Sequence, residues 1–280
     1  MSGFSPDWLA LREDADRRAR SAAIDAAVAA ALAAFPEPRI CDLGAGTGAS
    51  LRALAPLLGP RQHWVLVDHD PALAAAARRV LAAQADAARP DGADLVLDWG
   101  GRELRVSFAA ADLAADPAAP LAFAPHLVTA SAFFDLASAR WCRAFAGAMA
   151  GASVMVHAAL TCDGCDAWSP PHPADAAVHG AFRAHQARDK GFGPAAGPAA
   201  ATILAEALTA AGHAVMIDES PWRLDAGDRA LIAALAEGTA NAAREHGGVP
   251  PDDLASWEAA RRQAASCRIG HVDLFARPGR

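Results

Sequence analysis

The stretch Ile40-Cys41-Asp42-Leu43-Gly44-Ala45-Gly46-Thr47-Gly48 decides the fold. Arg39 to Leu43 is a short apolar run of strand character that leads straight into three glycines on alternate positions. Glycine takes up the positive φ of a tight turn and lets the backbone approach a ligand closely. Leu51 to Leu58 follows with helical spacing and stops at Gly59-Pro60. A strand, a glycine turn and a helix in that order leave free N–H groups at the helix start, where a ligand can be held.

The same alternation continues outward. His63 to Val67 reads as a second strand ending in Asp68, twenty residues after Gly48. Pro71 to Ala88 reads as a helix capped by Asp70. Leu95 to Leu97 and Leu104 to Phe108 read as strands around a Trp99-Gly100-Gly101 turn, the second ending near Asp112. Leu127 to Ala130 and Ser153 to Ala158 are further strands, with a helix over Ser138 to Ala150 between them. After residue 197 come a helix (Ala199 to Ala211), a strand (His213 to Ile217), two helices (Asp225 to Arg244, Pro251 to Ala265) and a last strand (Ile269 to Phe275). Strands that alternate with helices predict an α/β, doubly wound, mostly parallel seven-stranded sheet.

Four segments are expected. Residues 1–36 form an N-terminal helical segment: Ser5-Pro6-Asp7 supplies a capping hydroxyl, a first-turn proline and an acid at the positive helix end. Residues 37–160 form the ligand-binding core. Residues 161–197, rich in Pro, Gly, His and Trp, form a helical lid over the substrate, and residues 198–280 complete the core.

Bulk properties narrow the function. The formal net charge is −7, and Arg17, Arg18 and Arg20 stand among Asp14 and Asp16, so no basic stripe suits a nucleic acid. Met1 to Arg20 carries four acids and no apolar core of a signal peptide, and no uncharged run has membrane-spanning length. Five cysteines, an odd number, read as reduced thiols of a cytoplasmic protein. Cys162-Asp163-Gly164-Cys165, with His157 and His172, lacks a second cysteine pair, so no metal is expected.

Three acids fall at successive strand ends. Asp68 can accept ribose hydroxyls, Asp112 an exocyclic amine, and Asp42 can face an ammonium group. Asp42 to Gly48 resembles motif I of the class I S-adenosylmethionine-dependent methyltransferases. The resemblance implies a Rossmann-like fold, S-adenosyl-L-methionine as cofactor and methyl transfer as activity. It implies that Asp42, Gly44, Ala45, Gly46, Thr47 and Gly48 hold the methionyl part, Asp68 with His69 the ribose, and Asp112 with Leu113 the adenine. It also implies that Thr129, Ala130 and Ser131 lie beside the reactive methyl. No Asn/Asp-Pro-Pro-aromatic motif stands at the end of the Leu127 to Ala130 strand, which disfavours nucleobase and glutamine substrates.

The expected acceptor is a small molecule, with a peptide or protein as the alternative. An NAD-dependent oxidoreductase is the rival enzyme, but its usual G-x-G-x-x-G spacing is absent and a carboxylate at Asp42 would repel a pyrophosphate. Asp135, His157 and His185 are the candidate bases for an acceptor that carries a proton. Lys190, the sole lysine among 25 basic residues, is expected to anchor an acidic group of the acceptor, with Trp168 and His172 lining the same lid. The oligomeric state is not readable.

Overall fold

The computed structural model describes residues 4–279; residues 1–3 of the expected N-terminal segment and residue 280 lie outside it. In chain order the elements are α1 (Pro6–Ala19), α2 (Ala22–Leu32), β1 (Arg39–Leu43), α3 (Ala49–Leu54), β2 (Arg61–Val67), α4 (Pro71–Gln84), β3 (Ala87–Asp91), β4 (Asp94–Trp99), β5 (Arg102–Ala109) and β6 (Leu127–Ser131). There follow α5 (Ala139–Gly151), β7 (Met155–Ser169), α6 (Asp175–Gln186), α7 (Ala200–Ala210), β8 (His213–Glu219), β9 (Trp222–Leu224), α8 (Arg229–His246), α9 (Pro251–Arg261) and β10 (Ser266–Pro278).

One sheet organises the chain, in the order β3-β4-β5-β2-β1-β6-β7-β10-β8, with β9 beside β10. β5, β2, β1, β6 and β7 run parallel, whereas β10 is antiparallel to β7 and β8. β5, β2, β1, β6, β7, β10 and β8 are the expected mostly parallel seven-stranded sheet. The antiparallel β3 and β4 extend it at one edge and β9 at the other. The sheet is covered on both faces. Ile40, Trp64, Leu66, Leu127 and Met155 pack on one side with Leu51 and Leu54 of α3 and Val28 of α2. Cys41, Val65, Val128, Ala130 and Val156 pack on the other with Phe145 of α5 and Leu204 of α7. This is the doubly wound arrangement the strand–helix alternation predicts.

Local chemistry explains the helix starts. Ser5, Asp70 and Ser138 each accept the N–H of a residue in the following first turn, and Pro6 and Pro71 sit where a helix has no use for a backbone donor. Two expectations need correction. The helix over 71–88 ends at Gln84, and Ala87–Asp91 instead pairs with β4. Residues 161–169, expected to open the lid, continue β7 as an antiparallel partner of β10. The helical part of that segment, α6, packs on α8 and α9 through Val178, Ala181, Ala240, Leu254 and Trp257.

The strand order reverses between β1 and β6, whose neighbours on opposite sides are β2 and β7. A crevice opens at the carboxyl ends of parallel strands at such a point. Leu43-Gly44 leaves β1 there, and Ser131 leaves β6 there.

Candidate active site

The glycine loop folds as its sequence requires. Gly44, Gly46 and Gly48 have φ of 59°, 53° and 84°, all in the left-handed region. The Ala45 N–H bonds to Val67 O at 3.1 Å, which ties the loop to the end of β2. Asp68, one residue further, accepts the Gly46 N–H at 2.9 Å with Oδ2 and the Asp70 N–H at 3.0 Å with Oδ1. The carboxylate thus sits against the glycine loop, where a ligand on that loop would meet it. His69 beside it is exposed.

Asp42 is buried, and both of its carboxylate oxygens are shielded without a hydrogen bond. Burial pushes its pKa up to about 7; Ser50 and the guanidinium groups of Arg20 and Arg52 pull the other way. An unpaired buried carboxylate costs stability, and a cation brought beside it would remove that cost. A small cleft of about 40 Å³ adjoins this region, walled by Glu13, Arg17, Arg20, Ser50, Arg52, Ser131 and Leu160, among others. Both charge signs are therefore present around one cleft at the end of β1 and β6.

α1 forms the cover. A Cβ added at Gly46 would lie 2.9 Å from Leu9 Cδ1, so Leu9 rests directly on the loop. Glu13 holds Arg52 of α3 through two bonds of 2.5 and 2.8 Å, and Arg52 also donates to the carbonyl and hydroxyl oxygens of Thr47. Arg12 is paired with Asp16, which accepts the Trp222 indole N–H at 3.0 Å. On the other side Phe133 lies over Gly44 and contacts Phe134, Trp141 and Phe192 edge-on.

Asp112 is exposed and accepts the N–H groups of Ala114 and Ala115 at 3.1 Å, shaping the loop after β5. Leu113 is buried, and its carbonyl accepts the Trp141 indole N–H at 2.6 Å. Asp135, just past β6, is half-buried with Oδ1 shielded and unpartnered. Burial raises its pKa to about 6, against the pull of Arg12.

Several expected residues lie elsewhere. Thr129 and His157 are fully buried on the α2 side of the sheet; the Thr129 hydroxyl meets His157 Nδ1 at 2.9 Å, and His157 Nε2 lies 4.0 Å from Asp25. Burial lowers the His157 pKa well below its ordinary value, so it is a poor base. Ala130 points into the opposite core. His185 bonds Glu245 of α8 at 3.0 Å, and His172 bonds Ser256 of α9 at 3.3 Å and caps the turn into α6. Both are helix contacts. Trp168 is buried with Trp222, Leu224 and Leu231. Lys190 is exposed on a loop whose Asp189 accepts the N–H groups of Gly191 and Gly193.

The cover and walls contributed by Leu9, Glu13, Arg20, Ser50 and Arg52 carry no mark of ligand contact in the sequence, whereas the Phe133-Phe134 pair is readable as packing either on a ligand or in the core. For the cover and walls the one legible signal is the spacing of Leu9, Glu13 and Arg20 along a capped helix.

No family model matches the chain, and no curated protein matches it. Solved structures with a similar chain path include the YcgJ protein of Bacillus subtilis, 13% identical over 93% of this chain and 100% of that one, at a TM-score of 0.48. A cyclopropane-fatty-acyl-phospholipid synthase-like protein of Lactobacillus casei is 18% identical over 94% and 98%, at 0.47. A SAM-dependent methyltransferase of Thiobacillus denitrificans, in complex with S-adenosyl-L-homocysteine, is 14% identical over 99% of both chains, at 0.45. At such identities the likeness is one of chain path.

Proposed function

We propose that the chain is an S-adenosyl-L-methionine-dependent methyltransferase acting on a small-molecule acceptor. The observation that carries this reading is Asp42: a buried carboxylate whose oxygens lack a hydrogen-bond partner, two residues before a glycine turn and behind Ser50, which lines a cleft together with arginines. A zwitterionic amino-acid group with its ammonium on Asp42 and its carboxylate toward Arg17 and Arg20 satisfies both charge signs at once. A pyrophosphate would meet Asp42 and Glu13 instead, which argues against a dinucleotide.

The other residues fit the nucleoside half. A carboxylate has about four acceptor sites, and Asp68 uses two on backbone N–H groups, so it keeps capacity for two ribose hydroxyls. Asp112 is free to accept from an adenine amine beside Leu113. S-adenosyl-L-methionine supplies an electrophilic methyl group at its sulfonium. The protein's part is alignment and exclusion of water, which α1 and Phe133 provide by covering the loop. Asp135, with a pKa near 6, can take a proton from an acceptor hydroxyl or amine at neutral pH. Lys190 is proposed to meet an acidic group on the acceptor. Cytoplasmic residence accords with the five free thiols.

Calorimetry tests the reading. S-adenosyl-L-homocysteine should bind and NAD should bind far more weakly. Tight NAD binding without S-adenosyl-L-homocysteine binding overturns it. Incubation of metabolite extracts with methyl-labelled cofactor would then identify the acceptor by mass.

A further inference from the structure

Two parts of the cleft lining are tied to one side chain that lies outside it. Leu160 lines the cleft and is buried, yet its φ is +53°, a left-handed conformation that costs a branched residue energy and persists only where its surroundings fix it. Its N–H donates to Asp273 Oδ1 of β10 at 2.7 Å. The lining also includes Arg20, and the next residue, Ser21, donates its N–H to Asp273 Oδ2 at 2.8 Å. Ser21 also starts α2, accepting the Ile24 N–H, and its hydroxyl donates to Asp218 at 2.6 Å.

Asp273 is completely buried and makes no ion pair of 4 Å or less among the described residues. Burying a carboxylate is costly, and a neutral side chain in a strand would have been cheaper. What Asp273 achieves is geometric: one rigid carboxylate with two acceptor oxygens spans from the strained strand β7 to the α1–α2 junction. An amide could not replace it, because its NH2 would face one of the two N–H donors.

We infer that Asp273 is a positioning residue for the amino-acid end of the cofactor, fixing Leu160 and the backbone beside Arg20, both part of the cleft lining, relative to each other. This rests on the function proposed above. It touches no reacting atom; it acts through the two backbone groups it holds.

The experiment compares two ligands that differ only at that end. S-adenosyl-L-homocysteine carries the amino-acid group, and 5′-methylthioadenosine keeps the nucleoside and thioether without it. In Asp273→Asn one brace is lost, so the dissociation constant for S-adenosyl-L-homocysteine should rise about tenfold while that for 5′-methylthioadenosine stays within about twofold. If that variant does not fold, Ser21→Pro decides, read against Ser21→Ala: Ser21 has φ of −70° and Arg20 before it is extended at ψ 139°, so proline fits the backbone, and Ser21→Ala loses the same hydroxyl bonds to Ile24 and Asp218 while keeping the N–H donor to Asp273. The same selective loss is expected. Equal weakening of both ligands, or no weakening of either, in a folded variant overturns the inference. Wild-type protein that binds neither ligand overturns the underlying reading, and this one with it.

Discussion

A carboxylate buried without a hydrogen bond persists in a fold when something outside the fold selects for it, and Asp42 is such a group. Its folded pKa of about 7 lies above the ordinary 3.8, so the folded state holds the proton more tightly than the unfolded one. The contribution of Asp42 to stability is therefore most favourable below about pH 4 and is lost as pH rises through 7. Asp42→Asn removes that decline and should stabilise the free protein at pH 8, by at most about 4 kcal/mol at 1.36 kcal/mol per pH unit. The same substitution should weaken S-adenosyl-L-homocysteine at least about tenfold, a trade of function for stability. With the native residue, binding an ammonium at pH 6 should release a proton, so the calorimetric enthalpy should differ between phosphate and imidazole buffers and affinity should rise from pH 5.5 to pH 8. Identical enthalpies in both buffers would count against the ammonium contact. Asp68→Ala loses a charged acceptor on Gly46 as well as the ribose contact, and should cost binding about tenfold to a hundredfold; an unchanged dissociation constant would displace the nucleoside from the end of β2. Asp42 and Asp68 were legible because each stands at a fixed step from the glycines on a recognisable strand. His157 was not, because its parity along β7 turns it toward α2, and the register that matches it to Thr129 is absent from a one-dimensional reading.

At the scale of elements, α1 is the part whose existence was readable and whose role was not. Ser5 and Pro6 announce the helix start, but the contact that matters, Glu13 to Arg52, joins residues 39 apart and two elements away. With Leu9 on Gly46 and a cleft of only about 40 Å³ beneath, this arrangement is closed. That volume holds about three waters at 10–15 Å³ each, less than the amino-acid end of the cofactor, which is the part proposed to lie there. Entry therefore requires α1 to lift, and the Glu13–Arg52 pair resists lifting. Glu13→Gln should weaken that latch by about 1 kcal/mol, since the pair is partly buried and doubly bonded. In stopped-flow mixing, the observed binding rate should saturate at high ligand concentration, and the plateau should rise about fivefold in the variant. A rate that stays linear in ligand concentration and equal in both proteins would mean that ligand enters without α1 moving. β3 went unread, although its partner β4 was read, for a different reason. The polar run around Ala87–Asp91 shows no alternation of its own, all five residues are exposed, and only pairing with β4 makes it a strand.

At the scale of the whole molecule, the sheet with its reversal between β1 and β6 followed from local patterns, because each strand–turn–helix unit is coded within about thirty residues. The C-terminal half did not, because its organisation depends on β7 and β10 running on together past the core to residues 169 and 266. That extension turns an expected lid into a second layer in which α6, α8 and α9 pack on one another. Arg261 shows what holds the layer: it is buried, grips Asp175 at 2.7 Å and 2.8 Å, donates to the Pro170 carbonyl, and lies near the rings of Trp168 and Trp257. Arg261→Met leaves Asp175 uncompensated, and breaking a buried pair in this way costs about 3–5 kcal/mol, so the melting temperature should fall by several degrees. Asp175→Asn added to it removes the charge while leaving an oxygen to accept the Trp257 indole N–H, and should recover much of the loss. If the layer is scaffold, affinity for S-adenosyl-L-homocysteine and the Michaelis constant for the acceptor should match wild type in the double variant, measured below its melting temperature. A Michaelis constant for the acceptor that rises in that restored protein, with cofactor affinity unchanged, would return α6 to the acceptor pocket and vindicate the lid after all. The two outcomes separate because α6 meets α8 and α9 through apolar contacts that the substitutions leave in place, so only a role at the acceptor itself would register in turnover.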